Sequence, residues 1–228
     1  MMSNLRFYSS VGLLGLLCCV APNVAHAGNL LSNGSFATGD LTDWTAFTTA
    51  NGTNGGGLPD VVSFNTTGSG PTNSAQFNVG TTVYPEQDGG GISQEVDITS
   101  AGTYDFSADM ASQDDADGEV NNGAGVFSLL IDGTAVDTDD FGGFSNPYQI
   151  ILGSLNDDVD LTAGDHTFAI EITREYTSEG SETPNEYVTD LSLTSLSSPT
   201  PEPGSGLLFG TGLVGLAALV MRRAARTA

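Results

Sequence analysis

Apolar and polar residues alternate through "GTYDFSADMAS". Tyr104, Phe106, Ala108 and Met110 fall on one side, and Asp105, Ser107 and Asp109 on the other. A period of two is that of a strand with one buried and one wet face. The same period runs through "GDHTFAIEIT", with His166, Phe168, Ile170 and Ile172 on one face. In "YVTDLSLTSL" it groups Tyr187, Thr189, Leu191 and Leu193. "GVFSLLIDGTAV" is apolar on both faces as far as Ile131, then meets Asp132-Gly133. That pair takes positive φ readily and signals a hairpin turn. Weaker strand patterns lie at 29–31, 44–49, 61–65, 75–79, 92–98 and 148–152. About ten short strands separated by Gly, Asn and Asp predict an all-β, two-sheet antiparallel sandwich of jelly-roll type. The acid-rich stretches 113–123, 137–144, 156–160 and 178–186 are expected as loops. No internal repeat is visible.

The two ends follow a different pattern. Residues 11–21 are an apolar run behind Arg6. That run has the length of a signal-peptide core and is too short to span a bilayer. Ala25-His26-Ala27 then offers a small-x-small cleavage site, which places the cut after Ala27 and makes residues 1–27 a signal peptide. A lipoprotein signal through Cys18 or Cys19 is the rival, but Leu17 stands where a small residue belongs. Both cysteines leave with the signal, so the mature chain has neither a disulfide nor a thiolate metal site. At the other end, the Pro-rich stretch 197–204 breaks regular structure. Residues 205–221 carry no charge; at ~1.5 Å per residue they reach about 25 Å, a short transmembrane helix. Arg222, Arg223 and Arg226 in the tail 222–228 would stay on the cytoplasmic side.

Charge sharpens the middle. The chain has 28 Asp plus Glu against 5 Arg and no Lys. Residues 28–198 hold all the acids except Glu202, and Arg174 is their single cation, a net charge near −26. Such a surface repels nucleic acid and anionic lipid. Two causes are open: solvation in a salty or crowded medium, or cation binding by Asp-rich loops, with calcium the fitting hard ion. The high charge could also mark disorder, but the period-two apolar runs argue for a folded core.

Two stretches resemble known families. Pro201-Glu202-Pro203, a Gly-rich apolar run and the arginines Arg222 and Arg223 resemble the PEP-CTERM sorting signal of Gram-negative bacteria. That resemblance implies transient anchoring in the inner membrane and removal of the tail by an exosortase. Delivery to the cell surface or extracellular polysaccharide would follow. "NLLSNGSFATGDLTDWT" resembles the opening of galactose-binding-like and carbohydrate-binding-module jelly rolls through Asn29, Leu30, Leu31, Asn33, Gly34, Phe36, Gly39 and Trp44. "AGDHTFAI" and "EYVTDLSL" resemble their closing strands. In many members acids at these two places hold a structural calcium. Here Ala37 and Thr189 replace two of them, leaving Asp190 and the neighbourhood of Asp40.

Candidate chemistry is sparse. "SQDDADGEVNNG" places Asp115, Asp117 and Gly118 like the start of an EF-hand loop, but Gln113 and Ala124 stand at the two end positions. It reads as an acidic loop with a weak calcium site at most. No catalytic residue is singled out. His166, the one His of 28–198, has a strand position that suits packing or capping, and nucleophile and zinc motifs are missing. Glycan binding needs exposed aromatics beside polar groups. "DDFGGFSNPY" could present Phe141, Phe144 and Tyr148 together, or tuck them over the rim of the sandwich. Trp44 is expected in the core. Three Asn-x-Ser/Thr sequons carry little weight in a bacterial export context. The expectation is an exported, exosortase-sorted surface or matrix protein with a structural or polysaccharide-associated sandwich. It needs no cofactor, with calcium optional. The alternatives are a calcium-assisted carbohydrate-binding module and a secreted glycoside hydrolase.

Overall fold

The computed structural model describes residues 28–115, 120–178 and 183–196. The expected signal peptide with Ala25 and Ala27, the expected membrane span, the sorting residues and Asp117 lie outside the described residues. Residues 27–198 form one compact unit. Among the described residues, no helix is long and apolar enough to cross a membrane.

Among the described residues twelve strands follow in order: β1 (Thr45–Thr48), β2 (Gly52–Thr53), β3 (Asp60–Phe64), β4 (Thr72–Phe77), β5 (Gly80–Thr81), β6 (Asp88–Ile98), β7 (Gly102–Gln113), β8 (Val126–Ile131), β9 (Thr134–Asp140), β10 (Ile150–Leu161), β11 (Gly164–Arg174) and β12 (Asn185–Ser195). They pair antiparallel into a sheet ordered β1-β6-β11-β8-β9, a sheet ordered β10-β7-β12-β4-β3, and the small pair β2-β5. From β6 onward the chain changes sheet at each connection except the β8–β9 hairpin. This is the crossing pattern of a jelly roll.

The alternating patterns bury as their period requires. Tyr104, Phe106, Ala108 and Met110 of β7 face Phe127, Leu129, Phe168, Ile170 and Ile172 of β8 and β11 in one core. Phe36, Phe77, Phe106, Phe127 and Phe168 are at most 1% exposed. Each such ring contributes about 1.5–3 kcal/mol relative to exposure. Asp132 and Gly133 take φ of 51° and 76° and close the β8–β9 hairpin, the geometry of a type I′ turn.

Three expectations change. The acid-rich stretch 156–160 is the second half of β10, and 137–140 belongs to β9. Both strands are sheet edges. In β10, Leu155, Val159 and Leu161 are buried while Asn156, Asp158 and Asp160 are exposed. Outward charges on an edge strand block pairing with another chain, and by composition such a strand looks like a loop. Residues 29–31 are not a strand. They are an irregular segment tied to β12, with Leu30 N donating to Leu193 O at 2.9 Å. Finally, β12 does not keep one phase. Its register against β7 shifts between Thr189 and Ser192, and Asp190 has φ 50°. The bulge puts Val188, Leu191 and Leu193 in the core. Tyr187 moves to the outer face, where its ring stacks on Phe64 at 3.7 Å.

Candidate functional site

The opening segment is a structural clasp. Asn29 donates through Nδ2 to Leu191 O (2.9 Å) and accepts from Leu193 N through Oδ1 (2.9 Å). Asn33, at φ 51°, donates to the carbonyls of Asp40 (3.1 Å) and Thr42 (2.9 Å). Trp44 packs on Phe36 and donates its indole N–H to Asn33 O. Gly34 abuts Leu191 O so closely that a Cβ would collide with it. This loop does not fit a calcium ion: an amide donor already fills the place where two carbonyls converge. The Asp40 carboxylate accepts from Thr38 and Thr42, and these hydrogen bonds hold it below the usual carboxylate range. Asp190 is exposed on the bulge, where its charge adds to the burial that raises Asp109. Asp115 is exposed, with Asn185 Nδ2 at 3.4 Å. Among the described residues no three or more His, Cys, Asp or Glu are grouped to hold a metal.

His166 is also structural. Its Nδ1 lies 2.8 Å from Asp132 Oδ2 and its Nε2 3.0 Å from Thr162 O. Asp132 raises its pKa, and the pair staples the β8–β9 turn to the start of β11.

A cleft of about 290 Å³ opens at the end of the first sheet, where β6 and β8 begin and β9 and β11 finish. Two loops zip together to wall it. Ala124 N donates to Gly142 O (2.6 Å), Phe141 N to Gly125 O (3.1 Å) and Phe144 N to Asn121 O (3.0 Å). Of the three aromatics that could be displayed or tucked over the rim, Phe144 is 7% exposed and Phe141 packs on Phe127 at 4.7 Å. Tyr148 is exposed, at φ 60°. The loop itself does reach the cleft, through Asp140, Gly142 and Gly143. Across from it stand Gln87, Thr173, Glu175 and Tyr176. Tyr176 is half-buried and held by its carbonyl, which accepts from Thr81 N (3.0 Å). Tyr84, 64% exposed, lies 6.0 Å from it. Burial, then a hydrogen bond to Glu175, push the Tyr176 phenol up.

Beneath the cleft lies Arg174, 2% exposed. Its three nitrogens donate to Gly123 O (2.8 Å), Val79 O (3.0 Å) and Asn121 Oδ1 (3.2 Å). Burial lowers its pKa, opposed chiefly by Glu186. Glu186 is fully buried and accepts from Val79 N at 3.0 Å, so one backbone residue bridges the two side chains. Desolvation outweighs Arg174 and pushes the Glu186 carboxyl up to about 8. The sequence hinted at this site through one signal, a lone Arg among 27 acids. Its role in organising a cleft emerges only when β11 is set against the 121–125 loop.

The PEP-CTERM protein-sorting motif matches residues 199–223. No curated protein matches the chain. Among solved structures, the chain is similar to a family 61 carbohydrate-binding module in complex with β-1,4-galactotriose: 15% identity, 73% of this chain and 98% of that one, TM-score 0.43. A family 22 xylan-binding domain from Paenibacillus barcinonensis follows at 14% identity, 75% and 97% coverage, TM-score 0.41. A tailspike protein of bacteriophage CBA120 matches at 15% identity over 78% of this chain and 22% of that one, TM-score 0.44. The described residues form an all-β sandwich, and the chain carries a PEP-CTERM sorting motif at residues 199–223.

Proposed function

We propose that this is an exported protein, cut by signal peptidase after Ala27 and held in the inner membrane by residues 205–221. An exosortase then processes it at Pro201-Glu202-Pro203, and its sandwich binds extracellular polysaccharide through the end cleft. One observation carries the binding role: Tyr176, with exposed Tyr84 beside it, lines the cleft together with the amide, hydroxyl and carboxylate groups of Gln87, Thr173 and Asp140. A sugar ring needs both: an aromatic face for its C–H side and side-chain donors and acceptors for its hydroxyls. The role is binding and not hydrolysis. The motif at 199–223 begins beyond the last strand, so removing the tail leaves the sandwich whole. Calcium assistance, through Asp115 and its loop, is the second form of this reading.

The test is retention of the full chain on the producer's own extracellular polysaccharide, in a detergent without a sugar headgroup, with calcium and with chelator. Retention is expected to fall about tenfold or more in Tyr84→Ala and Tyr176→Ala, and to persist in Tyr148→Ala. No retention in either condition would remove the binding role. Release of new reducing ends would replace it with hydrolysis, and loss with chelator alone would establish the calcium-assisted form.

A further inference from the structure

We propose that the end cleft selects glycans bearing a free amine, that is, amino sugars without the N-acetyl group, over neutral and uronic-acid glycans. This rests on the carbohydrate-binding reading above and concerns which sugar the same cleft takes.

The accessible charges of the cleft are two carboxylates, Asp140 and Glu175, both exposed at its rim. Asp140 is fixed there by accepting Gly142 N through Oδ1 at 2.8 Å. The one cation, Arg174, is sealed below, and Nε, Nη1 and Nη2 each donate to protein oxygens. At 2% exposed it presents no fork to a ligand carboxylate, and Asp114 lies within range of its charge. A uronate entering here would lose water beside two like charges and meet no guanidinium, an unfavourable exchange. An ammonium group would meet the reverse. It would gain two carboxylates. The Tyr176 ring already has the Arg174 guanidinium over it, 5.9 Å from its centroid, so the aromatic face for a ligand cation is that of exposed Tyr84. Gln87 and Thr173 remain for hydroxyls, although Gln87 Nε2 already donates to Thr173 Oγ1 at 3.0 Å. That bond sets the amide oxygen as the free acceptor.

A domain this acidic attracts any polycation, so the test must separate the cleft from the general field. The full chain is titrated calorimetrically, at about 0.15 M salt where exposed charges beyond ~8 Å are screened. The probes are a β-1,4-glucosamine tetramer, its fully N-acetylated counterpart and a tetragalacturonate. The amine tetramer is expected to bind about tenfold tighter than the acetylated one, and the uronate not to bind. Asp140→Asn with Glu175→Gln should abolish the preference for the amine tetramer over the acetylated one. Asp105→Asn with Asp158→Asn, a facing pair on the outer side of the other sheet, should leave the preference intact. Equal or tighter binding of the acetylated tetramer would overturn the inference. So would uronate binding, or an equal loss in the distal pair. If acetylated tetramer binds through Tyr84 without any preference, only this inference falls. If no tetramer binds, this inference falls, and the carbohydrate reading stands or falls on retention by the producer's own polysaccharide.

Discussion

Glu186 is a buried carboxyl whose pKa is pushed up to about 8, against 4.5 in the unfolded chain. Between those values the unfolded chain has released a proton that the folded chain keeps, so rising pH favours unfolding. The domain is expected to melt higher at pH 5 than at pH 8. Glu186→Gln keeps the shape and the acceptor for Val79 N, and should flatten that slope. Melting curves at pH 5, 6, 7 and 8 check this, and an unchanged slope in the variant would show that another group titrates. His166 adds in the same direction. Its pKa is raised by Asp132, so its contribution is present below 6.5 and lost as pH rises through the folded value. The effect is small, because Asp132 is 53% exposed and water screens the pair. Asp132 and Asp40 act on the acid side. Both are lowered by hydrogen bonds from the chain, so their stabilisation holds above 3.8 and fades in stronger acid.

Between elements, the decisive join is the opening segment on β12. Asn29 bridges Leu191 and Leu193 with both ends of its amide and also accepts from Leu31 N. Asn29→Ala is expected to cost about 1–3 kcal/mol, since it strands partly buried backbone groups; urea melts give the value. The bulge makes a second prediction. At φ 50°, Asp190→Gly should be tolerated, whereas Asp190→Val should destabilise by roughly 1–2 kcal/mol. β7, β11 and the Asp132-Gly133 turn are legible in the sequence because one face is apolar and the other is polar apart from Ala111 and Ala169. β9 and the second half of β10 are not, because outward aspartates on edge strands imitate a loop. The phase of β12 is hidden for another reason: one residue at positive φ shifts every later side chain across the sheet. The cleft was half legible. The 140–144 loop is its wall, but Phe141 and Phe144 turn inward, where burial of a ring outweighs display. The residues that face the cleft are the small and polar ones between and before them.

At the scale of the molecule, the charge near −26 on residues 28–198 is a self-repulsion spread over one sandwich. Raising salt from about 0.01 to 0.15 M shortens the screening length from roughly 30 to 8 Å. The melting temperature is expected to rise across that range, which a salt series at fixed pH would show. The strand orders carry a further consequence, one of timing. The middle strand of one sheet is β11 and of the other β12, the last two strands in the chain. Until residues 164–195 arrive, β6 cannot reach β8 and β7 cannot reach β4, so each sheet is two ribbons with a missing slat. A chain ended at residue 184 should therefore show no cooperative melt. An export channel that threads the protein from its N-terminus would be passing an unfinished object for most of the journey. The sandwich can set only at the end, just before the sorting signal comes through.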